Sequence, residues 1–216
     1  VTYAGRGTYS ITSSGVSHAF TTMFNALTGT YSLNDAFSQT VGGTGIVISN
    51  GSFNSNNFNI SCVKFTINGS VAKTITLGTS TITTTTTSAV SVIDLSGSNL
   101  TFSALSSTIN ITGVSASTRT FTGSGYSYGT LTYTVAGSTG QLSITGSNSF
   151  AAINFSDVTN ARSLKFTAGT TTTIRNGNGF NVRGTSGKLM TIDTITGAST
   201  FTLTSPNQQS TDYITP

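Results

Sequence analysis

The phrases "FTGSGYSYGTLTYT" at 121–134 and "ITGSNSFAAINFS" at 144–156 share one pattern. In each, an apolar residue is followed by Thr-Gly, then by three or four small or aromatic residues, and then by a second segment in which apolar and polar residues alternate. Alternation with a period of two is typical of strands with one buried face. The recurrence of the phrase predicts that the chain repeats a strand–turn–strand unit.

The repeat has a loose period of about 22 residues, which lies in the range of solenoid proteins. Six apolar positions mark it: Leu77, Phe102, Phe121, Ile144, Phe166 and Met190. One solenoid turn cannot bury its own inner face, so turns must stack on each other. Two successive strands of a β-sandwich would give a similar period, and the sandwich therefore stays open as the alternative architecture.

The composition of the chain predicts an all-β protein. Only 6% of the residues are charged, against roughly 25% in typical soluble chains. Glutamate is absent, whereas threonine, isoleucine, valine and phenylalanine are abundant. The five threonines at 83–87 are β-favouring residues in a setting without proline, so we expect them on the outside of one turn and in the bend that follows.

The first 44 residues are expected to form a capping or docking segment, followed by a solenoid domain at 45–216. Within the segment, Phe20, Met23, Phe24 and Leu27 have helical spacing, and Ser17 is a candidate N-cap. We therefore expect one short N-terminal helix. The chain begins without methionine and ends where the repeat pattern is still running, so we expect a fragment of a longer protein.

From residue 46 to 214, the chain resembles a degenerate repeat module of tailed-phage tail-fibre and virion structural proteins, which also occurs in large bacterial surface proteins. The resemblance rests on eight phrases in order: "GSFNSNNFNISC", "TITLGTSTIT", "NLTFSALSSTINITG", "RTFTGSGYSYGTLTYT", "LSITGSNSFAAINF", "LKFTAGTTTTI", "VRGTSGKLMTI" and "STDYI". It implies a parallel β-solenoid (β-helix) on the outside of a virion or cell, and such proteins are often oligomeric. These phrases contain no catalytic signature.

Phage tailspikes on solenoids are often glycan-cleaving enzymes, and that activity needs two carboxylates about 5–10 Å apart. The candidates are Asp94 and Asp193, separated by four to five turns or near 20 Å at about 4.8 Å per turn. Asp157 lies between them in a turn. His18 is the only histidine and Cys62 the only cysteine, and we expect both to pack. The chain is therefore predicted to have no catalytic residues, metal or cofactor.

Net charge is +4, and basic residues are the one charged feature with a pattern. Stacking of equal repeat positions would align them in a ridge for an anionic polysaccharide or an acidic subunit; its candidate members are Lys73, Arg119, Arg162, Lys165, Arg175, Arg183 and Lys188. Tyr126 and Tyr128 are candidates for stacking on glycans. The alternatives are solubilising charges at turns and aromatic rings that pack a corner.

The sequence and the resemblance together predict a non-enzymatic virion structural protein, a segment of a bacteriophage tail fibre, spike or capsid appendage. Expected partners are other virion subunits, further copies of the chain, with a homotrimer as the natural arrangement, and a host surface polysaccharide. Nucleic acid is not expected, because basic residues are not interleaved with stacking aromatics. Membrane insertion is not expected, because no long apolar run exists. A bacterial surface adhesin or surface-layer protein is the alternative, and a glycan-degrading tailspike the lower one.

Overall fold

The chain forms a parallel β-solenoid of about nine turns. A computed structural model describes residues 1–41, 43–197, 199–207, 209 and 211–215. These residues contain 22 strands and no helix. The strands pair in parallel with strands one turn earlier and one turn later, as in the pairs β13–β15 and β15–β17. The prediction of an all-β parallel solenoid is confirmed, and the β-sandwich alternative is wrong.

Three stacks of strands form three faces, visited in the same order in each turn. The first face contains β1 (Thr2–Tyr3), the beginnings of β4 (Thr22–Leu33) and β6 (Ile46–Asn54), β8 (Phe65–Ile67), β11 (Ser91–Asp94), β13 (Arg119–Thr122), β15 (Leu142–Thr145), β17 (Arg162–Phe166), β20 (Met190–Thr194) and β22 (Ile214–Thr215).

The second face contains β2 (Thr8–Ile11), the ends of β4 and β6, β9 (Lys73–Thr76), the beginnings of β12 (Leu100–Ile111), β14 (Ser127–Tyr133) and β16 (Ser149–Ser156), β18 (Thr171–Ile174) and β21 (Thr202–Thr204). The third face contains β3 (Ser17–His18), β5 (Phe37–Gln39), β7 (Ile60–Cys62), β10 (Thr81–Thr84), the ends of β12, β14 and β16, and β19 (Phe180–Arg183).

The core is built from columns of inward-facing residues that pair in register. On the first face the column runs through Ile46, Phe65, Ile93, Phe121, Ile144 and Phe166. On the third face it runs through Phe37, Ile60, Ile82, Ile109, Leu131, Ile153 and Phe180. All these side chains are buried. Each turn therefore covers the apolar floor of its neighbours.

Turn length varies because the corner loops differ in length. Only 19 residues separate Ile46 from its partner Phe65, whereas 28 separate Phe65 from Ile93. The sequence-based alignment placed Phe121, Ile144 and Phe166 in one column, and this is confirmed. It also placed Met190 above Phe166, which is wrong, since Phe166 pairs with Thr194 and Met190 pairs with Arg162.

The predicted N-terminal helix is wrong, because residues 22–33 form strand β4. Thr22 and Phe24 pair in parallel with Ile46 and Ile48, so the segment is hydrogen-bonded into the next turn. A lone helix of this length is marginal in water, whereas the strand gains a ladder and buries Phe24. Ser17, the candidate N-cap, lies in β3. The solenoid thus extends into the segment predicted as a separate cap.

The threonine tract lies where the sequence predicted it. Thr83 and Thr84 end β10 on the third face, and the next three threonines form the bend toward the first face. Thr84 and Thr86 are buried, whereas Thr85 and Thr87 are exposed. The bend is therefore part of the ordered corner.

We expect Phe121→Ala to lower the free energy of unfolding by about 3–5 kcal/mol, because Phe121 is fully buried in the first-face column and packs on Tyr128 and Phe150. Equilibrium unfolding in urea measures the change. The control is Thr120→Ala, since Thr120 is partly exposed next to Phe121, and it should change the value by less than about 1 kcal/mol. Equal effects of the two substitutions would contradict the assignment of inward and outward positions.

Candidate functional site

The seven basic residues predicted to form one ridge are split between the inside and the outside of the solenoid. Lys73, Arg119 and Arg162 expose 3%, 0% and 3% of their surface. Each is the first residue of a strand, directly after a corner. Arg175 follows β18 at another corner and is half-buried. A single outward ridge of seven cations is therefore not what the structure forms.

Corner loops leave carbonyl groups outside the strand ladders, and buried carbonyls need donors. Lys73 supplies them at a corner between the first and second faces. Its Nζ donates hydrogen bonds to the carbonyl oxygens of Gly69 and Ser98, each at 3.0 Å. Burial lowers the pKa of the ammonium group. Lys73 thus ties together two successive corner loops and does not present its charge to solvent.

Arg119 performs the same task between the third and first faces. Its Nε and Nη2 donate to the carbonyl oxygen of Thr86 at 3.1 and 2.7 Å, and Nη2 also donates to that of Gly113 at 2.7 Å. Nη1 donates to the hydroxyl of Tyr133. The planar fork of arginine suits this arrangement, which a lysine ammonium could not reproduce. Burial lowers the pKa of Arg119.

Arg162 lies one turn further along the axis, against the same tyrosine. Its guanidinium carbon is 3.8 Å from the ring centroid of Tyr133 and 4.6 Å from that of Phe155. Its Nε donates to the carbonyl oxygen of Gly140 at 3.2 Å. Desolvated cation–π contacts of this kind stabilise by about 2 kcal/mol. Arg119, Tyr133, Asp157 and Arg162 together form what we call the buried cation cluster.

Asp157 is the acidic member of the cluster. Its Oδ2 lies 3.7 Å from Nη1 of Arg162, and both side chains are fully buried. Its Oδ1 accepts hydrogen bonds from the backbone and hydroxyl of Thr159 and from the backbone of Asn160. Burial by itself raises the pKa of the carboxyl. The bonds from Thr159 and Asn160 and the charge of Arg162 outweigh burial and bring this pKa below its ordinary value.

Arg175 joins turns at the corner between the second and third faces. Its Nη2 donates to the carbonyl oxygen of Tyr128 at 2.6 Å, and its Nη1 donates to the hydroxyl of Ser149 at 3.0 Å. Tyr128, Phe150 and Ile174 stack in register on successive turns. The guanidinium therefore spans three turns, and burial lowers its pKa.

The two tyrosines predicted to stack on glycans pack within the protein. Tyr128 has no exposed surface, and its hydroxyl donates to the carbonyl oxygen of Gly123 at 2.6 Å. Tyr126 is partly buried against Phe102, and its hydroxyl donates to the carbonyl oxygen of Leu100 at 2.9 Å. A fully buried ring offers no face to a sugar, so Tyr128 is a core residue.

The remaining predicted cations lie on the outside. Nζ of Lys165 is 3.6 Å from Oδ2 of Asp193 on the first face. Arg183 ends β19, and Lys188 lies in a tight turn that starts at Thr185. Both are exposed, and neither forms a salt bridge within the described part of the chain. Of the predicted ridge, an outward pair of cations thus remains at this end of the solenoid.

The two candidate acids of a glycosidase are far apart. Asp94 pairs with Thr122, which pairs with Thr145. Asp193 pairs with Lys165, which pairs with Ser143 on the same turn as Thr145. The two carboxyl groups are therefore four turns apart, or roughly 19 Å at about 4.8 Å per turn. That is too far for cooperation in glycoside hydrolysis, which needs at most about 10 Å.

Other catalytic groups are scattered as well. His18 packs against Phe20 and Phe37, with ring centroids 5.6 and 4.6 Å away. Cys62 is buried, and burial raises the pKa of its thiol, which keeps it in the unreactive neutral form. The described residues contain no group of three or more His, Cys, Asp or Glu side chains that could hold a metal.

A shallow polar groove of about 280 Å³ borders the buried cation cluster; its lining includes Thr118, Gln141, Ser163 and Thr191. Arg162 also lines it, although its side chain has no exposed surface. Hydroxyl and amide groups predominate in the groove, and no carboxylate or histidine lines it. It has the polarity of a water-filled corner between turns and lacks acid–base machinery.

The inward direction of the corner cations was readable from the sequence by parity. In a strand, residues two apart face the same side. Arg162 is two residues before Leu164 and four before Phe166, Arg119 is two before Phe121, and Lys73 is two before Ile75. All four apolar partners in these spacings are buried. The same alternation that predicted the core therefore also places these cations inside.

Comparisons with known proteins add no family. No protein-family model matches the chain, and searches of curated proteins and of solved structures likewise gave no match. Among the residues that the structure describes, none belongs to a helix long and apolar enough to cross a membrane.

We expect Asp157→Asn to destabilise the protein at neutral pH by about 3–5 kcal/mol, because it leaves the charge of Arg162 buried without its carboxylate. The sign of the pH dependence follows from the lowered pKa of Asp157. Its stabilising contribution is complete above the unfolded pKa of about 3.9 and is lost as the pH falls through the lower folded pKa. Urea unfolding at neutral pH and at several acidic pH values measures both effects.

The matched control is Asp94→Asn, since Asp94 is partly exposed on the first face and bonds only to the backbone of Ser96. It should change stability by about 0.5 kcal/mol or less. The Asp157→Asn variant should also lose part of the acid sensitivity of the wild type. Wild-type stability at neutral pH in Asp157→Asn would show that the buried cation cluster does not hold its corner together.

Proposed function

We propose that the chain is a non-enzymatic structural segment of a virion, part of a bacteriophage tail fibre, tail spike or capsid appendage, where it acts as a stiff rod. The observation that carries the proposal is the unbroken stack of about nine turns with parallel in-register strands. Every strand within the stack pairs on both sides, so stiffness comes from the backbone. The resemblance of residues 46–214 to virion and tail-fibre modules supports the location.

The outer surface supports a structural role. On the second face, outward positions pair into ladders of short polar side chains: Thr8, Thr30, Ser52, Thr74 and Thr101 in one, and Ser10, Ser32, Asn54, Thr76 and Ser103 in the other. Neither ladder contains a charged residue. Short side chains without charge give a flat face, which suits packing in an assembly and resists unfolding by charge repulsion.

Contact with a host surface would use Arg183 and Lys188. They are exposed and close in the chain, and the turn between them projects from a corner. Two cations attract an anionic polysaccharide through a field that salt screens. This is a smaller binding surface than the seven-residue ridge, and it lies at one end of the solenoid.

Enzymatic action on glycans is the weaker candidate because the two acids, Asp94 and Asp193, are four turns apart. A bacterial adhesin or surface-layer protein is the stronger alternative, because the same stiff solenoid would serve on a cell envelope. These functions place the chain on different particles, so its location distinguishes them.

The test is immunogold electron microscopy with antibodies against this chain, applied to virions and to uninfected cells from the same culture. We expect gold on extended appendages of the virions and none on uninfected cells. Gold on the envelope of uninfected cells would instead support the adhesin. Virions labelled nowhere would overturn the proposal.

Enzymatic activity is tested by incubating the purified chain with host surface polysaccharide and measuring reducing ends. We expect no release above the buffer control. Release that disappears in the double variant Asp94→Asn and Asp193→Asn would contradict a purely structural role, because two acids four turns apart would then be doing chemistry.

A further inference from the structure

One corner of the solenoid carries an exposed apolar side chain on almost every turn. This corner joins the third face to the first, and we call its apolar residues the corner ridge: Phe20, Val41, Ala89, Val114, Ala136, Val158 and Leu189. Val158 exposes 68% of its surface, Val41 57% and Val114 52%. Valines this exposed cost free energy in water unless a partner covers them.

The loops that hold the ridge stack directly on one another. Thr86 donates its backbone N–H to the carbonyl of Val63, and the hydroxyl of Ser115 donates to the carbonyl of Thr87. The backbone of Thr139 bonds to that of Ser115. Further along the axis, the backbone of Gly137 donates to the hydroxyl of Thr159, and the hydroxyl of Thr185 donates to the carbonyl of Val158. The ridge is therefore continuous along the axis.

The ridge also rests on a rigid base. The buried cation cluster lies beneath the same corner, with Arg119 bonded to the carbonyls of Thr86 and Gly113, and Arg162 to that of Gly140. These carbonyls belong to the loops that carry Ala89, Val114 and Ala136. A fixed base reduces the entropy that the ridge loses when a partner binds.

The spacing of the ridge selects its partner. Its side chains recur once per turn, at the strand spacing of about 4.8 Å. A globular partner has no such period, whereas another solenoid with the same turns can place an apolar side chain against each of these. The loops at 85–90, 112–118 and 134–141 contain no charged residue, so two copies meet there without repulsion.

The area of the ridge indicates how many copies meet. Seven steps of about 4.8 Å give a length of roughly 34 Å, and a strip roughly 10 Å wide offers about 350 Å² per copy. A standard interface buries about 800 Å² per partner, so one such strip is too small for a stable dimer. In a bundle of three, each ridge touches two others and buries nearly twice as much.

We propose that copies of this chain pack lengthwise around an axis lined by the corner ridge, three copies to a bundle. The proposal deepens the structural role proposed above, and rests on it, by naming the surface through which the rod assembles. The low charge of the chain allows identical surfaces to meet, and the apolar valines are removed from water on assembly.

The experiment is sedimentation equilibrium of the 216-residue chain, whose mass is 22.1 kDa. We expect three times that mass for the wild type and the monomer mass for the double variant Val114→Lys with Val158→Lys. The control is Val71→Lys with Leu105→Lys, two exposed apolar residues at the other corners, which expose 37% and 56% of their surface. This control should keep the mass of the wild type.

Circular dichroism and the thermal midpoint must show that each variant is folded. If the lysine pair does not fold, Val114→Ser with Val158→Ser replaces it and should weaken assembly in the same direction. A wild type that stays monomeric at its highest soluble concentration overturns the proposal, and so does a trimer that dissociates only in the control variant. Either result leaves the immunogold labelling, and with it the proposed rod function, unaffected.

Discussion

Parallel in-register pairing between successive turns is the constraint on which the rest of the structure depends. A single turn of some 20 residues has no second layer against which to bury its apolar side chains. Stacking supplies that layer, since Phe121 covers Ile93 and is covered by Ile144. The backbone ladder fixes the register, and the register decides which side chains meet. All further features of the molecule, including its surface, repeat with the turn.

The same constraint creates a difficulty at the corners, where the chain leaves one face for the next. Loop carbonyls there are turned inward without strand partners. The protein meets this need with long basic side chains: Lys73 binds two carbonyls at one corner, and Arg119 binds those of Thr86 and Gly113 at another. Placing Asp157 and the ring of Tyr133 beside Arg162 compensates part of the cost of burying its charge. Most of the positive charge is thus used inside the molecule.

The fold was predictable because period-two alternation and a recurring phrase are local signals. The column Phe121, Ile144 and Phe166 follows from them directly. The N-terminal strand was missed because Phe20, Met23, Phe24 and Leu27 satisfy helical spacing, and only pairing with residues 46–48, about 24 positions away, decides for a strand. The variable loops explain the error at Met190, since the long loop after Phe166 shifts the register.

The candidate site was harder to predict than the fold. Charge was assumed to face water, although the parity of Arg119 and Arg162 with their apolar neighbours places them inside. The corner ridge escaped notice for another reason: Val41, Val114 and Val158 belong to no strand, and their alignment appears only once the turns are stacked. Surfaces built from residues in separate loops depend on the three-dimensional register and leave no pattern in the sequence.

The most direct test of the stacking is a disulfide across two turns. Thr30 pairs with Ser52 on the second face, 22 residues further along the chain. Parallel neighbours lie about 4.8 Å apart, within the range that a disulfide spans. Peptide mapping of the oxidised double variant Thr30→Cys with Ser52→Cys should therefore show a cross-link. The offset pair, Thr30→Cys with Asn54→Cys, should not form one. A cross-link in the offset pair alone, or in neither, would contradict the parallel register and the solenoid built on it.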